Sequence, residues 1–107
     1  MEQVVFNLLR NAIEAVAGMG NRARLHLRLH RQGGAAVLEV SDNGSGVAPD
    51  LRPRLFTPFT TTRADGTGLG LALSQRLVER AGGEIALVEG TSGATFRVVL
   101  PLHEGVG

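Results

Sequence analysis

Apolar residues in this chain recur first with a helical period, then with a strand period, and then repeat that order. From Glu2 to Ala17, Val5, Leu8, Leu9, Ala12 and Val16 share one face of a helical wheel, while Gln3, Asn7, Asn11 and Glu14 gather on the other. That division predicts an amphipathic helix, closed by Gly18 and Gly20. Arg24-Leu25-His26-Leu27-Arg28-Leu29-His30 alternates strictly and predicts a half-buried strand. Gly33-Gly34 turns the chain, and Ala35 to Ser41 returns as the partner strand. Leu69 to Ala81 predicts a second helix, stopped by Gly82-Gly83. Glu84 to Glu89 and Ala94 to Leu100 predict a second hairpin about Gly90-Thr91-Ser92-Gly93, ended by Pro101.

Between the two halves, residues 42 to 68 lose all periodicity. Short helical turns are plausible there only around Pro49 to Leu55. An irregular stretch this long inside a compact domain is usually functional. The element order predicts an α+β fold, a two-layer sandwich with helices on one face of a single sheet. One domain is expected over residues 1–104, with 105–107 as a tail.

Composition narrows the function. The chain has 107 residues, 43% hydrophobic and 20% charged, the balance of one globular domain. Its fifteen glycines point to tight turns and close backbone approaches. Without cysteine, disulfides, thiolate zinc sites and a catalytic thiol are excluded. The net charge is +1, and all eleven basic residues are scattered arginines. With neither a basic block nor Tyr or Trp, no nucleic-acid partner is expected. No apolar run approaches the ~20 residues of a membrane span, so no membrane contact by this domain is expected. A cytoplasmic location is expected.

Three polar clusters carry candidate chemistry. Asn7 and Asn11 lie one helical turn apart. They make either a solvated helix face or uncharged ligands for a Mg²⁺ that keeps water and phosphate in its shell. Asp42-Asn43-Gly44-Ser45-Gly46 follows a strand, so its carboxylate could accept a hydrogen bond from an exocyclic amine, although the run is also an ordinary turn signal. Gly66-Thr67-Gly68-Leu69-Gly70 opens a helix, where unpaired N–H groups suit phosphate. Its spacing is neither that of the Walker loop nor that of the dinucleotide fingerprint. Between the last two clusters, Phe56-Thr57-Pro58-Phe59-Thr60-Thr61-Thr62-Arg63 could pin the base of a loop with its two Phe.

In this order the clusters resemble the ATP-binding catalytic domain of bacterial sensor histidine kinases, of the GHKL ATPase superfamily and nitrogen-regulation-like type. Asn7-Leu8-Leu9-Arg10-Asn11-Ala12-Ile13-Glu14-Ala15 is similar to the N box, and Asp42-Asn43-Gly44-Ser45-Gly46-Val47 to the G1 box. Phe56-Thr57-Pro58-Phe59 is similar to the F box, Gly66-Thr67-Gly68-Leu69-Gly70-Leu71 to the G2 box, and Gly93-Ala94-Thr95-Phe96 to the last glycine–threonine element. The resemblance implies the Bergerat ATP-binding fold, a mixed sheet packed with helices, here lacking the family's first strand.

By that resemblance Asn11 would ligate Mg²⁺, Asn7 would lie near the phosphates, and Asp42 would bond the adenine amine with Thr95 supporting it through water. Gly44 and Gly46 would line the base pocket; Gly66, Gly68 and Gly70 would form the lid hinge and phosphate loop. Arg63 would neutralise the γ-phosphate, and Val47, Phe59, Thr60, Thr67 and Leu69 would complete the nucleotide-facing set. The implied activity transfers the γ-phosphoryl group of ATP to a His on a dimerisation domain, in the same full-length protein or in trans, for relay to a response regulator. His26, His30 and His103 are read as surface residues, not acceptors. Two alternatives stay open: an anti-sigma-factor-type serine kinase and a non-catalytic nucleotide-binding fragment.

Overall fold

Two hairpins, two long helices and two short 3-10 turns make up the computed structural model, which describes residues 2–57, 70–88 and 93–102. In chain order they are α1 (Glu2–Ala15), a 3-10 turn (Gly20–Arg22), β1 (Leu25–Gln32), β2 (Ala35–Asp42), a 3-10 turn (Arg52–Arg54), α2 (Gly70–Arg80), β3 (Glu84–Val88) and β4 (Ala94–Pro101). The sheet order is β1-β2-β4-β3.

Every pairing in this sheet is antiparallel, which corrects the expectation of a mixed sheet. The reason lies in the connections. Both hairpins are antiparallel by construction, and β4 inserts between β2 and β3. Those two strands, joined across α2, therefore run parallel without touching.

Cross-strand partners share a face. Val40 stands opposite Phe96, and Leu38 opposite Val98, on the side that the helices cover. There they join Val4, Leu8, Ala12, Val78, Ile85 and Ala94 in the core, with Leu38 at its margin. Phe56 meets Phe96 edge to face, with ring centroids 6.2 Å apart. It thereby ties the residues before Pro58 to β4. On the opposite face, Arg97 grips Glu39 across the ladder at 2.7 Å.

Two elements depart from expectation. The buried row of α1 is Val4, Leu8, Ala12 and Val16, with Val5 and Leu9 only half-buried. A row of spacing four fits the groove between β2 and α2, which leaves Phe6 and Ile13 outside at 64% and 56% exposure. The helix stops at Ala15, and i→i−3 bonds from Val16 and Ala17 tighten its end. The second departure is β1, which is exposed along nearly its whole length. Its leucines do point to the helical side, but they lie at the sheet edge beyond the helices, with Leu29 71% exposed. His26 is exposed. His30 is half-buried, and its sealed Nδ1 has no hydrogen-bond partner among the described residues. Among the described residues no helix is long and apolar enough to cross a membrane.

Candidate nucleotide-binding site

Asp42 ends β2 on the helical face and is 8% exposed. Its Oδ1 accepts the Gly44 N–H at 2.8 Å, an Asx turn that swings the chain out of the sheet. Two backbones press on this turn. A Cβ on Gly44 would lie 2.5 Å from the Ala15 carbonyl oxygen, and one on Gly93 would lie 2.0 Å from the carbonyl oxygen of Asp42 itself. Only glycine permits such approaches. The Asp42 turn is thus wedged between the end of α1 and the start of β4.

Asn43 fastens the same turn from the other side. Its amide donates to the Arg22 carbonyl at 2.8 Å, and its Oδ1 accepts the Arg24 N–H at 2.7 Å. The side chain acts as one more rung of ladder beyond β1. Sequence reasoning gave Asn43 no task, although an Asp-Asn-Gly run is a signal for such local bonds.

Thr95 does not join this arrangement. It pairs opposite Ser41, and its hydroxyl donates to Ser41 Oγ at 2.9 Å. Successive strand residues face opposite sides, so Thr95 lies across the sheet from Asp42, whose own partner on β4 is Ala94. The expected support of Asp42 by Thr95 is therefore corrected. Gly46 follows with a φ of 80°, and Val47 packs against the hydrophobic core.

The middle of α1 carries the two amides. Asn7 and Asn11 are half-buried, not on a solvated face, because their flank of α1 turns toward α2. Asn7 Nδ2 donates to Ser74 Oγ at 3.3 Å and to the Gly70 carbonyl at 3.5 Å. Ser74, fully buried, received no role from the sequence; its signal was a small polar residue one turn before Val78 on the buried face of α2. Glu14 is paired with Arg10 at 3.3 Å.

The helix α1 therefore joins both clusters. Its last residue packs on the Asp42 turn, and Asn7 binds the first turns of α2. Phe59, Thr60, Arg63, Gly66, Thr67, Gly68 and Leu69 lie outside the described residues, as does His103. No cluster of three or more His, Cys, Asp or Glu able to hold a metal occurs among the described residues.

Comparison with known proteins bears on this geometry. The family model described as "Histidine kinase-, DNA gyrase B-, and HSP90-like ATPase" matches residues 1–104. The C4-dicarboxylate transport sensor protein DctB of Rhizobium meliloti is 47% identical over 100 residues, which are 94% of this chain and 16% of that protein. The nucleotide-free catalytic domain of histidine kinase ThkA superposes with a TM-score of 0.80 at 31% identity, over 92% of this chain and 64% of that one. Full-length ShkA in complex with AMPPNP gives a TM-score of 0.79 at 31% identity, over 98% of this chain and 22% of that one. The chain thus spans a small part of the sensor proteins it matches.

Proposed function

Because the chain belongs to the family of histidine kinase-, DNA gyrase B- and HSP90-like ATPases, we propose that it is the Mg-ATP-binding catalytic domain of a two-component sensor histidine kinase. One observation carries this reading: the last residue of α1 packs on a buried carboxylate turn, and the middle of the same helix carries a pair of amides, of which Asn7 bonds to α2. A nucleotide with its base at Asp42 and its phosphates beside Asn7, Asn11 and Gly70 satisfies both clusters. Among the described residues Asp42 Oδ2 has no donor, so it can accept from the exocyclic amine of adenine. Guanine presents a carbonyl there and would be refused. That the related ShkA was solved with an ATP analogue supports the same choice.

The donor set also fits a cation that arrives with the nucleotide. Asn7 and Asn11 offer neutral amide oxygens, and Glu14 is engaged by Arg10. Without an acidic cluster among the described residues, most of the coordination of Mg²⁺ must come from phosphate and water. Bound Mg²⁺ would neutralise phosphate charge. Asn11 would hold it, while Arg63 and Gly66, Thr67, Gly68 and Gly70 would face the phosphates. The chain's work is then positioning and electrostatic stabilisation. An imidazole nitrogen of a separate dimerisation domain would attack the γ-phosphorus as its bond to the ADP oxygen breaks, and a response regulator would receive the group.

Water is a poor acceptor in such a site, because an amide at position 7 cannot take its proton. Incubating the chain with radiolabelled ATP and a dimerisation domain from a related kinase should place acid-labile, base-stable label on the acceptor and none on the chain alone. Label on the chain, or brisk phosphate release without acceptor, would overturn the proposal.

A further inference from the structure

Asn7 is an amide whose two ends differ chemically, so its orientation decides which ligand atoms it can serve. An NH₂ group suits a phosphate oxygen; a carbonyl oxygen suits a cation or the hydrogen of a metal-bound water. The side chain has two neighbours on α2: Ser74 Oγ at 3.3 Å and the Gly70 carbonyl at 3.5 Å. Ser74 lies four residues after Gly70, so the hydroxyl and the carbonyl share one helix face and Asn7 meets both. The Gly70 oxygen can only accept, so the NH₂ must face α2, and Ser74 Oγ supplies the shorter of the two bonds. The Oδ1 atom is then the end that α2 does not engage.

We propose that Ser74 is a positioning residue that holds the Asn7 amide with its Oδ1 turned to the nucleotide's divalent cation or its bound water, not to a phosphate oxygen. The inference rests on the ATP-binding reading above and sharpens it: Asn7 acts on the metal side of the triphosphate together with Asn11. Ser74 itself is 0% exposed and reaches no ligand. Its effect must pass through Asn7. Removing the hydroxyl frees the amide to rotate and to present either end, which weakens the contribution of the cation and leaves base recognition untouched.

Calorimetric titration of the whole chain with ATP, once with Mg²⁺ and once with EDTA, tests this. In the parent chain Mg²⁺ should tighten ATP binding. Ser74→Ala should cut that Mg²⁺-dependent gain by about three- to tenfold, the range of one lost hydrogen bond, with affinity in EDTA unchanged. Ser74→Thr, which retains the hydroxyl, should restore the gain. In the Asn7→Ala background Ser74→Ala should have no further effect on it. A Ser74→Ala chain that keeps the full gain overturns the inference alone, as does one that loses affinity equally in Mg²⁺ and EDTA. A parent chain that binds ATP without any gain from Mg²⁺, or that binds no ATP, overturns the parent reading and this inference with it.

Discussion

Two clusters along α1, the Asp42 turn at its C-terminal end and the amides at its middle, hold their polar groups by different means. At the Asp42 end the main chain does the work: Gly44 against Ala15, Gly93 against Asp42, and Asn43 bonded to two backbone groups at 2.7 and 2.8 Å. At the amide cluster the contacts run between side chains or from side chain to carbonyl, at 3.3 and 3.5 Å. Backbone wedged against backbone allows a single arrangement, whereas a long amide bond to a hydroxyl can be remade. The difference suits the proposed ligand. Under the proposed function a flat base would be read the same way each time, while a triphosphate and its cation would change during transfer.

Breaking the wedge should cost most. Gly93→Ala puts a methyl group where only backbone can yield, and should lower stability by about 1–3 kcal/mol, as overpacking does. Chemical denaturation measures the stability, and calorimetry should show adenine binding falling with it. Asp42→Asn leaves the wedge intact but puts an amide where a carboxylate faced the base. ATP affinity should then fall by about ten- to a hundredfold, with or without Mg²⁺. Asn11→Ala works at the amide cluster. It should abolish transfer to an acceptor domain, yet in EDTA leave ATP affinity within about twofold of the parent chain. The smallest effect is expected from Arg10→Ala. Its pair with Glu14 is solvent-exposed, so stability should move by less than about 0.5 kcal/mol in a urea titration. A larger change would mean that the amide cluster, too, is rigidly braced.

The same contrast explains what could be read from the residues beforehand. Local signals served well: alternation and Gly33-Gly34 specify the first hairpin, and Asp-Asn-Gly specifies the turn after β2. Position relative to other elements was harder to read. For α1 the wheel leaves out fully buried Val4 and counts half-buried Val5 and Leu9, because packing on β2 and α2 decides which flank of the helix is covered. Thr95 illustrates the strand version of that problem: a shift of one residue moves a side chain to the other face, and only the register of β4 against β2 settles it. Insertion of β4 between β2 and β3 has no local signature. Nor has the bond from Asn7 to Ser74, whose partners are far apart in sequence and meet only when α1 packs on α2.

Amide chemical-shift mapping on the ¹⁵N-labelled chain tests the two-cluster site most directly, with adenosine added first and Mg-ATP second. Adenosine should shift the amides of Asn43, Gly44 and Gly93 and leave Asn7, Gly70 and Ser74 in place; Mg-ATP should then move the second group as well. Shifts from adenosine alone at both clusters, or shifts centred on β1 and the outer sheet face around Val37 and Arg97, would contradict it.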